Sequence, residues 1–285
     1  MKTIKGQTFP QERALYGENG IHLIECSFDG EEDGESALKE SKNVKLDGCV
    51  MNLRYPLWHD ENVEMNNSTM TDKCRAALWY SSNIHIKDSN LFGIKVLREC
   101  KNIEIYDSKV ESPEFCWKCR DINIKDSSIV GEYPFFLSSN IKLKNVELKG
   151  KYSFQYVENM TIEDCRFDTK DAFWHTKNVT VKNSIVKGEY LAWYSEGLTL
   201  ENCVIQGTQP LCYCKDLKLI NCKMIDADLS FEYSVVDADI TGDILSVKNP
   251  ISGKIVADSI GEIMLTDDSL YKCECTIEER SKKVN

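Results

Sequence analysis

From Asn43 onward, apolar and mostly branched residues alternate with polar ones in short runs that return at a fixed step. NIHIKDSNL at Asn83, NIEIYDSKV at Asn102, DINIKDSSI at Asp121, NIKLKNVEL at Asn140, NMTIEDCRF at Asn159 and NVTVKNSIV at Asn178 each begin 19 residues after the previous run. GLTLENCVI at Gly197 and DLKLINCKM at Asp216 keep that step. Upstream, NVKLDGCVM at Asn43 stands 19 residues before NVEMNNSTM at Asn62, which stands 21 before Asn83. With the first residue of each unit as position zero, positions one and three are Ile, Val, Leu or Met, and Lys, Glu, Thr or Asn lie between and after them. Period two marks a strand with one buried face, and a repeat of this length marks a solenoid.

The rest of the unit predicts two more strands. Position six is small (Cys49, Ser68, Ser89, Ser108, Ser127), position eight is apolar again, and position ten is often glycine, as in Gly93, Gly131, Gly188 and Gly207. A third strand follows near positions 12 to 16. Strands this short pair with their own copy one coil on, about 4.8 Å away, rather than with each other. The expectation is an all-β, single-domain, right-handed parallel β-helix with about 19 residues per coil and three short parallel sheets. Position five is Asp or Asn in almost every coil, including Asp88, Asp107, Asp126 and Asn145. Two readings stand: a ladder of carboxylates for calcium, or a turn ladder whose side chains bond the backbone of the neighbouring coil.

Open sheet ends invite polymerisation, so each end is expected to be capped. Residues 1–18 read as an N-terminal cap, 19–233 as β-helix coils, 234–266 as irregular terminal coils and 267–285 as a C-terminal cap or tail. The acidic stretch Glu31 to Ser36 reads as a surface loop.

Position 15 is the unusual column, because Trp58, Trp79, Trp117, Trp174 and Trp193 all fall in it beside Arg98, Phe136, Gln155, Cys212 and Phe231. Position 14 is also apolar, from Leu57 and Leu78 to Phe135 and Phe173. Strand neighbours face opposite ways, so one row fills the coil and the other meets what lies outside. Arg98 and Gln155 favour an outward position 15, whereas the charged Lys95, Glu99, Glu114 and Lys118 favour an inward one by alternation. The stripe can serve as a subunit interface, lie under a terminal segment, serve as a carbohydrate strip or be core. Candidate ligand contacts are the five tryptophans with Arg54, Arg75, Arg98, His59 and Tyr80; stacking would bring Arg54 near Arg75 and His59 near Tyr80. Arginine beside aromatics can grip the carboxylate of an acidic sugar.

Composition narrows the classes. The 285 residues carry a net charge of −11, which disfavours a nucleic-acid partner. No apolar run is long enough for a membrane span, and the N-terminus has no secretory h-region. The 13 cysteines are therefore expected as reduced thiols in a cytoplasm. Cys116-x-x-Cys119 with Cys100 gathers three thiols where a zinc site asks for four ligands, and cysteine also serves as a small inward residue; no cofactor or metal is expected. A glycosidase needs two carboxyls roughly 5–9.5 Å apart, a condition that any Asp- and Glu-rich solenoid meets in many places. The leading expectation is a protein that binds a carbohydrate or a second subunit through the aromatic face. The alternatives are a polysaccharide-active enzyme using Asp or Glu beside it and a purely structural scaffold.

FPQERALYG, GESALKE, YPLWH, RAALWY, KDAFWH, GEYLAWYSEGLTLENC, LCYC and SVKNPISG resemble a bacterial domain-of-unknown-function family of the pectin-lyase-like superfamily, from about Gly6 to Ile263. The resemblance implies the right-handed β-helix and a bacterial cytoplasmic setting. It carries no activity. The superfamily includes polysaccharide lyases, glycosidases and epimerases, but their acidic metal cluster and arginine base have no residue-by-residue match here.

Overall fold

The computed structural model describes residues 1–30 and 34–280; half of the acidic stretch (31–33) and the last five residues (281–285) lie outside them. No helix among the described residues is long and apolar enough to cross a membrane. The backbone groups into two units, residues 1–147 and 148–285. Both are parallel β-solenoid.

In the first unit, Asn19–Ile24, Lys42–Asp47, Glu61–Asn66, Ser82–Lys87 and Lys101–Tyr106 stack in register. Ile84 lies against Val63 on one side and Ile103 on the other, and Ile103 against Ile122. The same ladder in the second unit runs through Glu158–Glu163, Lys177–Lys182, Glu196–Glu201 and Leu217–Ile225. Inward positions one and three are buried throughout, each side chain adding about 1.5–3 kcal/mol over an exposed one. Residues 2–17, expected as a cap, wind as a rung: Lys2–Lys5 pairs with Asn19–Ile24, Thr8 bridges Ser27, and the amide of Leu15 donates to Ala37.

The corners are built by two kinds of column. Position zero is left-handed, with φ of 54° at Asn43, 60° at Asn62, 56° at Asn83 and 55° at Asn102. Asparagine tolerates that region better than most residues. Each amide also donates to the side chain one rung back: Asn62 to Asn43 at 2.9 Å, Asn83 to Asn62 at 2.8 Å and Asn102 to Asn83 at 2.8 Å. Position five is left-handed as well, and its bonds run side chain to side chain rather than to the neighbouring backbone, as from Asn145 to Asp126 at 2.7 Å and from Asn221 to Asn202 at 2.8 Å. The turn-ladder reading holds in this altered form. Among the described residues no group of three or more His, Cys, Asp or Glu is arranged to hold a metal.

Small residues turn the chain on the inside. At position six, the hydroxyls of Ser68, Ser89, Ser108 and Ser127 each accept the amide of the residue one rung back, at 2.9–3.1 Å. Cysteine fills the same places by donating its thiol to carbonyls, as Cys203 does to Val181 and Cys222 to Leu200. Cys100 and Cys119 do likewise, Cys100 donating to Leu78 and Cys119 to Trp117, and burial pushes both thiols up in pKa.

The third sheet is smaller than the pattern suggests. It consists of three two-residue strands, Leu57–Trp58, Leu78–Trp79 and Leu97–Arg98. From Cys116 onward position 14 becomes left-handed (Cys116 54°, Phe135 67°, Phe173 61°), so the segment closes as a turn.

Candidate functional site

Position 14 points inward: Leu57, Leu78, Leu97, Cys116, Phe135 and Phe154 are fully buried. Position 16 is left-handed in every coil from His59 (60°) to Tyr213 (60°), which breaks strand alternation. Positions 15 and 16 therefore both face outward, the first half-buried except at the fully buried Cys212 and the second mostly exposed. The register also slips by one residue after Ile225. Phe231, assigned to the outer column by spacing, lies buried inside, and Tyr233 takes the outer place against Tyr213.

The tryptophans hold rungs together. Each indole N–H donates to a backbone carbonyl one coil on: Trp58 to Ala76 (2.6 Å), Trp79 to Lys95 (3.0 Å), Trp117 to Tyr133 (2.6 Å), Trp174 to Tyr190 (2.6 Å) and Trp193 to Gln209 (2.8 Å). Their faces are largely used up too. Trp58 and Trp79 stack at 5.0 Å and 2°, and the Arg98 guanidinium sits 4.9 Å from Trp79 and 5.8 Å from Trp117. Trp174 and Trp193 form the equivalent stack in the second unit at 5.3 Å. Beside it runs a second column, Tyr156, His175, Tyr194 and Tyr213, with centroids 4.7–4.9 Å apart. What these stacks show to solvent is ring edges.

In the first unit the edges border an open groove of about 260 Å³, lined by Tyr55, Trp58, Arg75, Ala76, Trp79, Ile94 and Lys95. His59 and Tyr80 stack at 4.9 Å beside it, as the spacing implied. The extra two residues of the 21-residue coil are absorbed next to the groove, where Asp72–Cys74 forms a 3-10 turn that ends on Arg75 at φ 53°, ψ −84°. That conformation is near the rare γ-turn and carries strain. Arg75 is exposed and its side chain makes no ion pair or hydrogen bond among the described residues. Arg54 is engaged elsewhere, 3.4 Å from Glu35 and over the ring of Tyr55, and Lys95 is 3.3 Å from Glu114. Of the ten residues singled out by spacing, Trp58, Trp79 and Arg75 line the groove, whereas Trp174 and Trp193 belong to the other unit. Tyr55 and Lys95 were not among the ten; they reach the groove from the coils on either side of Arg75. A larger recess of about 630 Å³ in the same unit is lined by Asp88, Asp107, Asp126 and Glu147, and its charge repels anions.

Sequence reasoning also passed over Asp60. It occupies position 17 of its coil, a buried column otherwise filled by Ser41, Ser81, Cys100, Cys119 and Ser138 in this unit. One carboxyl oxygen accepts the Ser41 amide at 2.9 Å, and the other is buried without a hydrogen-bond partner among the described residues. Burial, with some repulsion from Glu40, pushes its pKa up to about 8. The signal was available: it is the one acid in a column of small residues.

An all-β parallel solenoid with an aromatic corner and a cationic groove is the class these features define. The chain belongs to the family described as Protein of unknown function (DUF3737), which matches residues 2–278. No curated protein matches it. Among solved structures, the A-module of Azotobacter vinelandii mannuronan C-5 epimerase AlgE4 is similar at 11% identity, covering 97% of this chain and 80% of that one, with a TM-score of 0.23.

Proposed function

We propose that the groove beside Trp58 and Trp79 binds an acidic sugar without cleaving it. The observation that carries this reading is Arg75, a guanidinium with no partner among the described residues at an open, aromatic-walled groove. The stacked rings offer edges, and aromatic edges are electropositive. Edges and Arg75 together favour an oxyanion over the apolar face of a neutral sugar, with Lys95, shared with Glu114, beside them. Arginine's planar fork suits a carboxylate bidentately. The reading is of binding because none of the seven lining residues is Asp or Glu. The setting we infer is the cytoplasm, a reading supported by 13 free cysteines, 11 of them buried.

The test is calorimetric titration with a galacturonate oligomer and its methyl ester. The acid form is expected to bind, and both the ester and the Arg75→Ala variant to bind roughly tenfold or more weakly. Equal affinity for acid and ester, or binding untouched by Arg75→Ala, would sink the proposal.

A further inference from the structure

We infer that the first strand of the first unit and the last strand of the second fit one another, so that a second copy of this chain adds head to tail. Among the described residues, Lys2–Lys5 pairs on one side only, with Asn19–Ile24, and Glu274–Glu279 on one side only, with Ser252–Ala257. Each leaves a row of backbone donors and acceptors on its free edge, the template that β-strand addition uses.

The two edges match residue by residue. In the first unit Ile4 continues the inward column of Leu23 and Leu46. In the second, Ile277 continues that of Ala238 and Ile255. Both isoleucines are only half-buried, unlike the same column within the ladders, so each end leaves apolar surface for a following rung to cover. Laid in the ladder's own register, Ile4 of one copy meets Ile277 of the next, Thr3 meets Thr276 and Lys5 meets Glu278. The charges are complementary overall: the first strand carries Lys2 and Lys5, the last carries Glu274, Glu278 and Glu279. Each edge repels its own kind, which disfavours a symmetric pair and selects the head-to-tail arrangement. Such a contact joins unlike patches, so it adds copies in series, as a ring or a filament. The groups are within reach of a second copy: Lys5 is 66% exposed in an ion pair with Glu25, and Glu278 is 50% exposed in one with Lys254, and exposed pairs of this kind are weak enough to be exchanged.

Sedimentation velocity of the full chain tests this. Average mass is expected to rise with concentration and to rise less at high salt. Lys5→Glu and Glu278→Lys should each sediment as a monomer alone, with roughly tenfold or more weaker association. An equimolar mixture of the two should recover association, because both kinds of junction are then complementary again. Circular dichroism checks that these exposed substitutions leave the coils folded. A wild-type chain that stays monomeric at every concentration overturns the inference. So do folded charge variants that associate as well as wild type, or a mixture that does not recover.

Discussion

Replacing Asp60 by asparagine should remove most of a pH dependence that the wild-type fold carries. The buried carboxyl holds its proton up to about pH 8, whereas an exposed one releases it near 3.8. Between those values the folded state binds one proton more than the unfolded chain, so stability falls as pH rises, by about 1.4 kcal/mol per unit. From pH 4 to pH 7 that amounts to about 4 kcal/mol, and the loss levels off above pH 8. Asparagine keeps the acceptor for the Ser41 amide and does not titrate. Urea denaturation of both proteins from pH 5 to pH 8 reads the difference directly, because all other groups cancel. The gap should move in the variant's favour by about 4 kcal/mol across that range. Asp60→Ser should go further, since the hydroxyl is what Ser81 and Ser138 supply in the same column, donating to Leu57 and Cys116. A gap that stays constant within about 1 kcal/mol from pH 5 to pH 8 would refute the buried-proton argument.

Three further outcomes follow from the ladders. Gly188→Ala should cost more than about 3 kcal/mol by thermal or urea unfolding, because its φ is 154° and a Cβ would lie 1.4 Å from the Thr169 carbonyl oxygen. Asn102→Gly should be milder than Asn102→Ala by about 1 kcal/mol, since both lose the bond to Asn83 and only alanine is strained at φ 55°. Thiol titration of the native protein should reach at most Cys273 and Cys275, the two that are not buried, and all 13 after denaturation.

The ladder was legible because its cause is local. Ile84, Ile103 and Ile122 recur in step since each must fill the same slot over the last, and period two is written in the side chains themselves. The Asn83 and Asn102 column was legible as a corner for a related reason: asparagine advertises the left-handed turn it makes. The aromatic face was not. Its direction depends on left-handed backbone at His59, Tyr80, His175 and Tyr194, residues that carry no such signature and that stack on one another across rungs. Alternation was then applied across a place where it fails, and the outward row could not be chosen. The one-residue slip before Phe231 had no mark at all, because a turn absorbs it. Arg75 could have been singled out from the longer coil that precedes Asn83, and Asp60 from its column.

The bulge at Asp72–Cys74 leaves the amide of Asn83 reaching Asn62 at 2.8 Å, the same separation as across a 19-residue step. A length change at that corner is thus invisible to the rungs above and below it. The groove wall there can therefore be lengthened, shortened or rewritten without renegotiating the scaffold.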